Sequence, residues 1–300
     1  MQLGDIRDFA KRNWAGFFFL APWLFGFLAL NLIPMGTSLY LSFTNFDLFG
    51  SPDWVGLQNF ERMFSDRKFL ASVSVTLRYV LIGVPLQLIF ALFVAAVLNK
   101  GVGDFSLRIY RAIYYVPSLF GSSVAVALLW RQMFGGRGLI NQLLASVGIQ
   151  GMNWIANPST ALSTLIVLAV WQLGAPMLIF LAGLKQIPVD LYESAEIDGA
   201  GRASVFFRIT LPLLSPIIFF NLIMQTIASF QAFTPAYIIS AGTGGPVDST
   251  LFYTLYLYQR GFNFFHMGYA AGMAWLLLAT IAVVTALLFL TSGRWVFYRE

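Results

Sequence analysis

The chain has no cysteine and a single histidine, His266. The first absence excludes a disulfide framework and a thiolate metal site. The second excludes a histidine metal cluster or a histidine relay built from this chain. Charge is also scarce: Asp, Glu, Lys and Arg make up 10% of the 300 residues, against about 25% in an ordinary soluble domain. No G-x-x-x-x-G-K-[ST] loop occurs, so the chain carries no P-loop of its own for ATP. Soluble domains, coiled coils, low-complexity tracts and strong repeats are missing too. The net charge is +5, with basic residues scattered between apolar runs. That pattern does not build the one-sided basic face that nucleic acid requires.

What is abundant is apolar surface, at 58% of residues. A soluble core of that size would leave too few charges to cover its outside, so the chain reads as an integral membrane protein. A helix needs about 20 apolar residues to cross a hydrocarbon core of roughly 30 Å. Six segments reach that length, at about 14–39, 79–98, 112–130, 161–184, 213–239 and 268–290. Pro22, Pro34, Pro85, Pro117, Pro176 and Pro216 fall in or at the ends of them, which membrane helices tolerate because neighbours re-satisfy the freed backbone groups. The first segment is too long, and wrongly flanked, for a cleaved signal peptide. The expected fold is therefore all-α, a polytopic membrane protein with six transmembrane helices forming one domain over residues 1–300.

Lys and Arg set the orientation. With the N-terminus cytoplasmic, the inner segments carry Arg7, Lys11, Arg12, Lys100, Arg108, Arg111, Lys185, Arg202, Arg208, Arg294 and Arg299. The outer ones carry Arg62, Arg67, Lys68, Arg78, Arg131, Arg137 and Arg260. That excess places both termini and the loop from Glu193 to Pro216 in the cytoplasm. Of the outer segments, Ser42–Ala71 reads as an ordered loop with a short amphipathic helix, and Gly135–Pro158 as a Gly- and Asn-rich loop. Ala241–Met267 reads as a GTGGP turn, rather than a phosphate cradle, followed by a helix lying on the membrane. Tyr253, Tyr256 and Tyr258 of that helix suit the headgroup belt.

The most informative stretch is ESAEIDGAGRASVFFRITLPLLSP, Glu193 to Pro216. Pro188 can open a helix but not continue one, and Asp190 near that start favours the positive end of the helix dipole. Ile187, Leu191 and Ala195 make one apolar face at i, i+4 spacing. Gly199 then ends the helix, where glycine takes left-handed angles easily. Phe206, Phe207 and Ile209 anchor a second piece before Leu211-Pro212 opens the fifth crossing. Gly199-Ala200-Gly201 follows no strand, so it is no dinucleotide fingerprint. The carboxylates of Asp190–Asp198 have no partner ligands nearby, so a solvated docking face accounts for them better than a metal site. Spacing alone leaves a plain connector and a docking element both open.

The run resembles the signature loop of binding-protein-dependent ABC importer permease subunits. That pattern is roughly E-A-A-x-x-D-G-A, a short spacer, then F-x-x-I-x-L-P-L-x-x-P. Glu193, Ala195, Asp198, Gly199, Ala200, Phe206, Ile209, Leu211, Pro212, Leu213 and Pro216 match it in order and spacing, and Ser194 stands for the middle alanine. APWLFGF near the N-terminus and GTGGPVDSTLFYTLYLYQRGF near the C-terminal end resemble the carbohydrate-uptake branch, with its maltose, lactose and glycerol-phosphate transporters. The large periplasmic insertion and extra N-terminal helices of the maltose example are missing. The resemblance implies a non-enzymatic permease in a bacterial cytoplasmic membrane. Its partners would be a second permease subunit in a heterodimer, two ATP-binding subunits and an extracytoplasmic solute-binding protein. ATP and Mg would sit on the ATPase partners, with no cofactor in this chain. Glu193, Ser194, Ala195, Asp198, Gly199, Ala200 and Arg202 would form the coupling helix and its bend.

Polar groups inside membrane helices are costly, so those facing the bundle are candidate ligand contacts. Asn221, Gln225 and Ser229 recur every four residues on the fifth crossing, with Gln231 just beyond. Trp171-Gln172 on the fourth is an aromatic–amide pair suited to a sugar's apolar face and hydroxyls, and Tyr237 adds to it. Simple bridging between helices, at about 0.6 kcal/mol each, stays open beside ligand contact. Arg78 and Arg131 near outer helix ends suit snorkelling; on the path, they would point to an acidic oligosaccharide. An ion-coupled secondary transporter is the alternative, but it would usually pair charges at mid-membrane. A membrane-embedded transferase or hydrolase would need a clustered acid, base or metal. Neither pattern occurs.

Overall fold

The computed structural model describes residues 14–99, 104–121 and 123–297. Arg7, Lys11, Arg12, Lys100 and Arg299, which entered the orientation count, lie outside the described residues. The helices are α1 (Trp14–Phe27), α2 (Ile33–Ser42), α3 (Gln58–Ser65), α4 (Arg67–Asn99), α5 (Asp104–Leu119), α6 (Val124–Met133), α7 (Leu139–Ser146) and α8 (Ala161–Trp171). They continue with α9 (Gly174–Leu184), α10 (Val189–Ile197), α11 (Arg202–Val205), α12 (Leu211–Phe230), α13 (Thr234–Ile239), α14 (Tyr253–Tyr258) and α15 (Met267–Ser292). π-turns join α1 to α2, α11 to α12, and follow α14.

Among the described residues, four helical runs are long and apolar enough to cross a bilayer: Phe18–Ser42, Arg67–Asn99, Arg202–Ile239 and Met267–Ser292. The pairs α5–α6 and α8–α9 bring the number to six if each is one bent crossing. The third crossing is thus not the straight helix expected over 112–130 but two helices broken between Leu119 and Val124. The fourth bends by 42°.

The chain divides into two compact units. In the first, residues 1–62 and 260–275, the Asn59 amide donates to the carbonyls of Ser42 and Thr44, both at 2.9 Å. Thr44 bridges Trp54, so the loop after α2 is ordered as read. Within α1 and α2 the first crossing buries none of its apolar stretch.

The second unit, residues 63–259 and 276–300, is built around α4. Val84, Leu88, Ala91 and Ala95 form a stripe at helical spacing. The stripe packs with Met177, Phe180 and Leu181 of α9 and Leu214 of α12. α4 starts well before the expected 79, because the Asp66 carboxylate caps it by accepting from the backbone N–H of Lys68 at 2.9 Å. The headgroup placement of Tyr253 and Tyr256 is corrected: both are buried. The Tyr253 ring lies 5.6 Å from Phe69, and its backbone N–H donates to Thr76 Oγ1 at 2.8 Å. Burial pushes the Tyr253 hydroxyl well above its ordinary pKa. The Tyr256 hydroxyl donates to Asp66 Oδ2 at 2.5 Å. Partners at the start of α4 and just before it hold both tyrosines in the interior. α7 was likewise unexpected in the Gly- and Asn-rich segment.

Candidate functional site

The elbow between the fourth and fifth crossings forms as its residues dictate. Pro188 immediately precedes α10, and Asp190 lies in the first turn. At the far end, Ala200 N–H donates to the Ala195 carbonyl at 2.9 Å and Gly199 N–H to the Glu196 carbonyl at 3.0 Å. Gly199 has φ +71. This is the paired 6→1 and 5→2 closure of a Schellman cap, which places a left-handed residue where glycine costs least.

After Gly201 the chain turns helical again through α11 and the π-turn Phe206–Thr210, then runs into α12 without a break. The Tyr192 hydroxyl pairs with Thr210 Oγ1 at 3.1 Å, pinning α10 to that π-turn. Tyr192 was missed from sequence, although Tyr192, Glu196 and Ala200 share i, i+4 spacing.

The seven coupling candidates divide by environment. Glu193, Ser194 and Asp198 are exposed, whereas Ala195 is buried and supports the helix from beneath. Ala200 and Arg202 line an apolar groove beside the end of α4. Of the expected apolar face, Ile187 packs on the core and Leu191 is exposed. Among the described residues, no group of three or more His, Cys, Asp or Glu is placed to hold a metal.

The path candidates do not form one cluster. Asn221 on α12 is 1% exposed, and neither of its amide atoms has a hydrogen-bond partner. Gln225 and Ser229 on the same row are half-buried, and Gln231 at the end of α12 is exposed. Trp171 packs against Trp130 in a tilted arrangement, with ring centroids 5.6 Å apart. Gln172 lies at the α8–α9 break, and its Nε2 donates to the Gly121 carbonyl at 2.8 Å, inside the α5–α6 break. One broken crossing thus satisfies the other, and Gln172 bridges the two. Tyr237 sits in a ring cluster with Phe233 and Tyr258. Arg131 donates to the Ile238 carbonyl at 3.4 Å. It also lines a polar pocket of about 390 Å³ with Asn153, Thr243 and Thr250.

An elbow capped in this way, inserted between two apolar crossings, sits inside a longer match. Residues 66–296 fit the family described as the binding-protein-dependent transport system inner membrane component. The chain belongs to this family. The permease is 56% identical over 296 residues to the probable ABC transporter permease protein YesP of Bacillus subtilis strain 168, covering 98% of this chain and 95% of that one. It is 32% identical to the arabinooligosaccharides transport system permease AraP of the same organism, over 96% and 91% of the two chains. In fold it matches the crystal structure of a bacterial ABC transporter involved in importing the acidic polysaccharide alginate. That match has a TM-score of 0.74 and 22% identity, over 97% of this chain and 99% of that one. As a family permease, the chain is a membrane component and not an enzyme.

Proposed function

We propose that this permease is the membrane-spanning subunit of an ATP-driven importer for a sugar or oligosaccharide, and that its elbow receives the stroke of an ATPase partner. The observation that carries this reading is the Schellman-capped α10, tied through Tyr192 and Thr210 to the run that continues from α11 through the π-turn into α12. A docked motor that moves Glu193, Ser194 and Asp198 moves a membrane helix with them. ATP and Mg belong to that partner and supply the free energy. This chain's residues supply the joint: Glu193 as the main polar contact, Gly199 as the bend and Tyr192–Thr210 as the brace. The elbow and both termini face the cytoplasm in this reading.

A second permease subunit would cover the first crossing, which buries nothing within this chain. A solute-binding protein would deliver cargo from outside, as for the alginate transporter solved with an alginate pentasaccharide-bound periplasmic protein. An acidic cargo is supported by Arg131 and its polar pocket; the unpartnered Asn221 amide, buried here, would reach sugar hydroxyls only once α12 moves. Glu193→Lys and Gly199→Pro should each abolish uptake and ATPase co-purification while the permease still inserts. Normal substrate-stimulated ATPase activity in either variant overturns the coupling role.

A further inference from the structure

A groove of about 900 Å³ runs between the end of α4 and the elbow. Its wall is apolar, with Ile89, Phe93 and Val97 from α4 facing Phe207 beyond the elbow. Its length decides what fits. From Ile89 to Asn99, α4 rises about 15 Å at 1.5 Å per residue. That is half of a roughly 30 Å hydrocarbon core, the depth of one leaflet. Among the described residues that line it, two are charged, one cation and one anion, Arg202 and Glu196. Both are exposed, and they form no ion pair with each other among the described residues.

We infer that this groove binds one phospholipid of the phosphatidylethanolamine type, its acyl chains along α4 and its headgroup bridging Arg202 and Glu196. Both charges of the rim are matched only by a zwitterion. The phosphate accepts from the Arg202 guanidinium, in the bidentate manner that guanidinium favours. The primary ammonium donates to the Glu196 carboxylate. A choline headgroup keeps the charge but has no N–H to donate, and a glycerol headgroup leaves Glu196 facing an anion. The inference rests on the membrane placement of α4, not on the coupling role of Glu193. The bound lipid would brace the elbow against α4 from the side opposite Ser194 and Asp198.

Native mass spectrometry of the detergent-purified permease tests this with phosphatidylethanolamine, phosphatidylcholine and phosphatidylglycerol of identical chains. The expected result is one retained ethanolamine lipid per permease, at least tenfold over the other two. Glu196→Gln should erase the preference over choline. Ala96→Phe, which fills the groove, should lose all three lipids; Val97→Trp repeats that test should Ala96→Phe fail to fold. Equal retention of the three lipids by wild type overturns the inference, as does unchanged retention in the filled groove. A photocrosslinker at Phe93 that captures a protein segment instead of lipid overturns it too. None of these readouts needs an ATPase or a solute, so a failed coupling role is told apart by the uptake of Glu193→Lys.

Discussion

Gly174 lies at a close approach of two broken crossings, and replacing it with alanine has a calculable effect. An added Cβ would lie 2.1 Å from the Tyr114 carbonyl oxygen and 2.7 Å from Tyr115 Cα, both backbone atoms that no rotamer change can move. Ordinary contact begins at 3.4 Å, so α5 and α9 must part by about 1.3 Å, the difference 3.4 − 2.1. Overpacking of this kind costs about 1–3 kcal/mol. The same shift stretches the 2.8 Å bond from Gln172 to Gly121 beyond bonding range, adding about 0.6 kcal/mol. Gly174→Ala should therefore destabilise the purified permease by about 2–4 kcal/mol, measured by reversible unfolding in mixed micelles. Gly36→Ala is the control: nothing lies within 4 Å of its added Cβ, and helix propensity should stabilise it by about 0.5–1 kcal/mol. A Gly174→Ala protein as stable as wild type would refute the close approach and the bridging role of Gln172 with it.

Asn221→Leu removes two buried amide atoms without partners, so the isolated permease should gain about 1–3 kcal/mol while uptake falls. A loss of stability instead would show that the amide is structural. Tyr256→Phe deletes the hydroxyl bond to Asp66 and should cost about 1.5–3 kcal/mol, the range for a bond to a charged group. Faster amide exchange at Lys68 and Phe69, the residues that Asp66 caps, is the local readout. Unchanged exchange there would mean that the cap holds without Tyr256.

Much of the elbow is legible in sequence because each step is local. Pro188 starts a helix and Gly199 ends it for reasons confined to one turn of backbone. The apolar crossings are legible for a similar reason, since length and hydropathy suffice. What sequence hid depends on distant partners. The start of α4 carries Arg67, Lys68 and Arg78, which hydropathy reads as loop, yet Asp66 caps it. Tyr256 has the look of an interface residue until Asp66, 190 residues away in the chain, takes its hydroxyl. The break after Leu119 contains Gly121, but membrane helices often pass through glycine unbroken. The Gln172 amide, 51 residues on, supplies the partner that the open Gly121 carbonyl requires.

The unbroken path from Arg202 to Phe230 also has a mechanical meaning. At 1.5 Å per residue, those 29 residues make a rod of roughly 43 Å. A swing of about 10° at the elbow would carry the other end about 7 Å, wider than one helical turn. Tyr192 and Thr210 tie the handle of that rod to α10. A small movement at the elbow would thus become a large one at the far end of α12, with gearing set by helix length alone.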